Sequence, residues 1–174
     1  MLLWKAPDAL RLEILSPFGS PVFAVVAKGA RLRALSIARG RYYVGRTDRE
    51  SMARWLGLPV SSAMMLRILQ GRVPVLNGEG LDDARLGWNS EMGALRLEIP
   101  LEIGRIRRQV AFLDLKTLEP RRVRFGEQGA ALDVRYGPFR RIGEGRVPEW
   151  VVIEDLGRGH RVRFQMLKGD KRPA

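Results

Sequence analysis

"ALRLEILSPFGSPVFAVVA", residues 9–27, decides how the chain is read. Leu10, Leu12 and Ile14 fall on one side of an extended chain, and Arg11 and Glu13 on the other. That is the period of two expected of a half-buried strand. "SPFGSP" (16–21) then supplies turn chemistry: proline presets φ at a corner and glycine commonly closes one. Alternation resumes with Phe23 and Val25 sharing a face. The stretch therefore predicts a β-hairpin. Its tip carries Phe18, a large apolar ring where turns are normally wet. Either the ring folds back onto its own hairpin, or it stays out because something must touch it.

The same pattern extends outward. "ALSIA" puts Leu35 and Ile37 together, and "RYYVG" follows as another short strand. Then the period changes. "TDRESMARWLG" opens with Thr47 or Asp48 as N-cap, carries Met52, Trp55 and Leu56 at helical spacing, and stops at Gly57. "LPVSSAMMLRILQG" predicts a second helix, capped by Ser61 or Ser62, with Met65, Leu66 and Leu69 along one stripe and Gly71 as its stop. "RVPVLNGEGLDD" reads as a loop. Alternation returns in "ALRLEIP", "QVAFLDL", "RRVRF", "ALDVRYG", "EWVVIED" and "HRVRFQML". Short turns join neighbouring strands, which predicts antiparallel pairing. A sheet with one apolar face must cover it, and the helix pair is the material available. The expected fold is mainly β with two short helices, a curved antiparallel sheet with the helices over its concave face. One domain is expected over 1–167, with 168–174 as a polar tail.

Composition narrows the function classes. The 174 residues carry a net charge of +12, no cysteine and one histidine. Without cysteine there is neither a disulfide nor a thiolate metal site. His160 sits in the basic turn "GRGHRVRF" and reads as a solvated residue; one histidine without cysteine does not build an ordinary structural zinc site. Asp82–Asp83 and Glu154–Asp155 are adjacent pairs, which a strand would point in opposite directions. The glycine-rich "GEGLDD" and "GEGRVP" lack a P-loop lysine. No catalytic residue, cofactor or metal is expected, and the chain is read as a non-enzyme. No apolar run approaches the roughly 18 residues of a membrane helix. The basic surplus fits attraction to a polyanion or an arginine-rich solvated surface. Because the charges alternate with apolar residues rather than cluster, the second reading weighs slightly more. "MLLWKAPD" reads as the end of a strand, so the chain is expected to begin inside a domain.

Leu2 to Pro74 resembles the LolA/LolB-like superfamily, closest to its outer-membrane lipoprotein receptor. Trp4 ends the strand "LLWK". "LRLEILSPFGSPVFAV" is similar to the family's apolar hairpin, and "DRESMARWLGLPV" and "SSAMMLRILQGRVP" to its helix pair. "VRYGPFRRIGEGRVPEWVVIED" resembles its later strands more loosely. The resemblance implies an incomplete antiparallel β-barrel with a helical lid, which encloses acyl chains of lipids or lipoproteins. It implies acyl contact for Trp4, Leu10, Leu12, Ile14, Phe23, Val25, Leu35, Ile37, Met52, Trp55, Met65 and Leu69. Phe18 takes the position of the receptor's exposed apolar residue that acts at the membrane. The implied partners are lipoprotein or lipid acyl chains, an anionic membrane surface and a periplasmic carrier protein, at the periplasmic face of the bacterial outer membrane; no nucleic acid is expected. The family's signal sequence, lipidated cysteine and first strands are not in this sequence. Two other classes remain open: a basic β-rich nucleic-acid-binding module, supported by charge alone, and a structural envelope protein with a filled core.

Overall fold

The computed structural model describes residues 2–5, 9–16, 18–37, 39–75, 81–103, 106–126, 131–142 and 145–165. The chain divides into two compact units, 1–66 and 67–174. The tail read over 168–174 lies outside the described residues.

The first unit holds a five-stranded antiparallel meander, β1 (Leu2–Lys5), β2 (Ala9–Leu15), β3 (Pro21–Lys28), β4 (Arg31–Ser36) and β5 (Arg41–Arg46), in that spatial order. The predicted hairpin is the pair β2–β3, in which Leu12 faces Val25 and Ile14 faces Phe23. Its turn is closed by Ser16 N–H donating to the Ser20 carbonyl (2.7 Å) and Gly19 N–H to the Ser16 carbonyl (2.9 Å). Gly19 has φ 81°, a conformation that glycine adopts without steric cost.

Both predicted helices form. α1 (Arg49–Leu56) is capped by Asp48, whose carboxylate accepts from Ser51 N–H at 2.9 Å, and it ends at Gly57 with φ 70°. α2 (Ser62–Leu69) is capped by Ser61, whose hydroxyl accepts from Met64 N–H. Thr47 ties the first helical segment to the meander: its hydroxyl donates to the Gly29 carbonyl (2.7 Å) and its N–H to that of Ala30.

The second unit is built on a seven-stranded antiparallel sheet in the order β14-β13-β10-β9-β8-β7-β6. Its strands are β6 (Arg85–Asn89), β7 (Ala94–Ile103), β8 (Ile106–Leu113), β9 (Pro120–Phe125), β10 (Leu132–Tyr136), β13 (Trp150–Asp155) and β14 (His160–Gln165). A separate hairpin, β11 (Phe139–Ile142) with β12 (Gly145–Pro148), is inserted between β10 and β13. Thus the described strands form two main sheets, where one was expected. β6, β11 and β12 were not foreseen: "FRRI" and "GRVP" are too short to show a period of two, and in "RLGWN" only Leu86 and Trp88 carry it.

One face of the seven-stranded sheet is a charged ladder. Asp133, fully buried on β10, accepts two hydrogen bonds from Arg122 (2.7 and 3.0 Å) and one from Arg135 (2.8 Å). Arg135 also reaches Glu154 on β13, so the network crosses three strands. Burial pushes the Asp133 carboxyl up, but the Arg122 and Arg135 guanidinium groups outweigh it and hold the carboxyl below its ordinary value.

A carboxyl lowered by folding stabilises the fold above its unfolded pKa of about 4 and loses that contribution as pH falls through the lower folded value. In acid titrations followed by circular dichroism, the native protein is expected to lose stability below about pH 4. Asp133→Asn is expected to be less stable by about 1–3 kcal/mol at pH 7, with a flatter acid profile. Equal acid profiles for the two proteins would show that the network contributes nothing.

Candidate functional site

The register decides which side chains share a sheet face. In the five-stranded meander, Leu12–Val25–Ala34–Tyr43 make one row and Leu10–Ala27–Leu32–Gly45 the next. Val25, Ala27, Leu32 and Ala34 are fully buried, and this is the inner face. Trp4 pairs with Leu10. Phe23 and Tyr43 are half-buried at the turn end of the same face. A side chain at Gly45 would meet the Ser51 hydroxyl at 3.9 Å, so α1 begins over this face. Met52 on α1 and Met65 and Leu69 on α2 are buried. The side chains of Trp4, Leu10, Leu12, Ile14 and Trp55 lie outside the described residues.

Leu35 and Ile37 are placed elsewhere. Leu35 pairs with Ala24 and Tyr42, on the opposite face, and is 42% exposed. Ile37 follows it into the turn and is also exposed. Both alternations of "RLRALSIA" contain apolar residues, so local sequence cannot choose between them. Pairing with β3 chooses, because Val25 and Ala27 bring Ala34 and Leu32 to the inner side. Phe18 does not fold back onto its hairpin: the ring is 94% exposed.

The seven-stranded sheet has an apolar face of its own. Ile99, Ala111, Val123, Phe125, Val134, Val151 and Ile153 are fully buried on it. Towards the β6 edge it opens: Leu95 and Leu97 are half-buried, and their partners Trp88 and Leu86 are exposed. Sequence reasoning placed Leu95, Leu97 and Ile99 on one face but assigned no role to them. The cue available was the alternation of Leu86 and Trp88 in "RLGWN".

Gln109 is the polar exception. It sits on that face between Ile99 and Phe125, fully buried, and neither amide atom has a hydrogen-bond partner among the described residues. Tyr136, at the far end, is buried and donates to the Arg72 carbonyl at 3.4 Å; burial raises its hydroxyl far above the ordinary value. Among the described residues no group of three His, Cys, Asp or Glu side chains could hold a metal ion. His160 lies exposed at the start of β14. No helix of the described residues is long and apolar enough to cross a membrane, which says nothing of strands.

Against known proteins, no family model matches the sequence and no curated protein does. Solved structures do match in fold. A LolA-superfamily protein of Nitrosomonas europaea superposes with a TM-score of 0.53 at 15% identity, covering 93% of this chain and 71% of that one. An outer membrane lipoprotein-sorting protein domain of Vibrio parahaemolyticus gives 0.52 at 13% identity, with the same coverage. A DUF1329-family protein of Desulfovibrio piger gives 0.55 at 14% identity, covering 90% of this chain and 68% of that one. The fold is therefore LolA-superfamily-like: mainly β, with two helices and curved antiparallel sheets.

One pair of substitutions checks the placement of the faces, and a single one checks the buried amide. Leu32→Ala removes a fully buried side chain and is expected to cost about 2–5 kcal/mol in denaturant unfolding, while Leu35→Ala costs under about 1 kcal/mol. Equal costs would mean that the register is wrong. Gln109→Met replaces an orphaned amide by an apolar group of similar shape and is expected to leave stability unchanged or raise it by about 1 kcal/mol. A loss above about 2 kcal/mol would show that the amide has a partner in solution.

Proposed function

We propose that this protein binds the acyl chains of lipids or lipoproteins on the apolar inner faces of its sheets, without catalysis, in lipoprotein sorting within a bacterial envelope. The observation that carries the reading is the apolar face that opens at Leu86, Trp88, Leu95 and Leu97. Exposed apolar surface flanked by polar residues is where apolar ligands bind. The methionines at 52, 64 and 65 support it, since flexible thioethers repack around ligands of different shape. Likeness in fold to a lipoprotein-sorting domain points the same way. In this reading α1 and α2 act as a lid, and the role is that of the receptor LolB, taking cargo from a periplasmic carrier at the outer membrane. Phe18 is its membrane contact, since an isolated exposed ring gains by insertion into lipid.

A second reading, a structural envelope protein with a filled core, is favoured by the complete burial of Val25, Ala27, Leu32 and Ala34. The two readings separate in one titration. A fluorescent fatty acyl probe is expected to bind saturably, and Trp88→Ser is expected to weaken it about tenfold with the melting temperature unchanged. Phe18→Glu is expected to leave probe binding and melting intact while reducing association with vesicles. Absence of saturable probe binding would favour the filled core.

A further inference from the structure

The outer face of the five-stranded meander is graded along its strands. Three rows cross β3, β4 and β5. Nearest the turns at 16–20 and 37–40 lies Ala24–Leu35–Tyr42, then Val26–Arg33–Val44, then Lys28–Arg31–Arg46. Successive rows are about 7 Å apart. The first row is apolar and aromatic, the second is mixed, and the third is wholly basic. The side chains are not cores in disguise: Leu35 is 42% exposed, Tyr42 58% and Val44 69%. Beyond the first row, at the same end, the two neighbouring turns present Phe18 and Ile37, with Arg39 exposed beside them. The nearby carboxylates are already engaged. Glu13 is taken by Arg11, and Asp48 caps α1 while lying 3.8 Å from Arg46. Among the described residues, no ion pair involves Lys28, Arg31 or Arg33.

We propose that this face docks on an anionic lipid bilayer with its turn end leading. Phe18 and Ile37 enter the acyl boundary, Leu35, Tyr42 and Val44 lie at the interface, and Lys28, Arg31, Arg33 and Arg46 meet the headgroup phosphates. The physical reason is the order of the rows. Apolar side chains lead by one or two rows and cations follow at the depth where lipid charge lies, as in interfacial elements that combine buried apolar area with basic charge. A solvated basic face would not concentrate its exposed apolar residues at one end. A nucleic-acid surface would place its cations, not its aliphatic residues, at the leading edge. The inference rests on the reading of Phe18 as a membrane contact, but it does not depend on acyl binding at the inner faces.

The absence of cysteine makes the test clean, because one introduced thiol carries the only label. Phe18→Cys, Ile37→Cys, Val44→Cys and Lys28→Cys proteins carrying an environment-sensitive fluorophore are mixed with phosphatidylcholine vesicles, with and without phosphatidylglycerol. Quenchers at known bilayer depths then rank the positions. The expected order is 18 and 37 deepest, 44 intermediate and 28 at headgroup level, with anionic vesicles only. Arg31→Glu with Arg33→Glu is expected to weaken partitioning at least tenfold, from a contribution of about fivefold per cation. Wild-type partitioning is expected to fall as salt rises. Quenching at 18 alone, equal partitioning to neutral vesicles, or salt-resistant nucleic-acid binding that the arginine variant abolishes would overturn the proposal. The acyl-probe titration, run on the same proteins, reports separately on the inner faces. Loss of probe binding with the depth order intact would leave this inference standing and remove the other.

Discussion

Everything in the first unit depends on the register of β3 against β4. Strand side chains alternate with a strict period of two, so a one-residue slip would exchange the two faces completely. With Val25 opposite Ala34 and Ala27 opposite Leu32, the inner face is aliphatic and buried, and the outer face carries exposed leucine, valine and tyrosine among arginines. The two faces then have different chemistry. One can exclude water, whereas the other stays in contact with it and with anything charged that approaches. Thr47, bound to the turn between the same two strands, starts the helical segment from a fixed point, so the register also sets where α1 begins.

The seven-stranded sheet solves the same problem with different means. Its charged face is organised around Asp133, on which Arg122 and Arg124 of the neighbouring β9 and Arg135 of β10 itself converge. Ladders such as Arg96–Glu98–Arg108 and Arg122–Asp133–Arg135 set two arginines on one carboxylate, so part of the protein's positive charge is engaged within this sheet. The meander differs in that, among the described residues, Lys28, Arg31 and Arg33 on its outer face enter no ion pair. Net charge alone is a poor guide to a partner; what distinguishes the meander is the ordering of its charge relative to apolar side chains.

Most of the fold was legible from periodicity and caps. The β2–β3 hairpin, both helices and their Gly57 and Gly71 stops follow from local chemistry, and each N-cap was narrowed to two neighbours, of which the structure uses Asp48 and Ser61. Antiparallel pairing followed from short turns. What local sequence does not carry is pairing between strands when both faces of a strand are apolar. "RLRALSIA" is the instance: Leu35 and Ile37 form as good a stripe as Leu32 and Ala34, and only the partner strand decides. The division into two main sheets was hidden because β6 is a short edge strand whose only markers are Leu86 and Trp88. Exposure of Phe18 was a question that the sequence posed and could not answer, because a turn phenylalanine has the same neighbours in sequence whether it folds back or points out.

The central claim, that the inner faces receive acyl chains while the outer face does not, is tested most directly by methyl NMR of the protein with a spin-labelled fatty acid. The account predicts selective paramagnetic broadening of inner-face methyls such as Leu97, Ile99 and Val25, with Leu35 and Val44 unaffected in the absence of vesicles. Broadening confined to Leu35 and Val44, or none at any methyl, would contradict it.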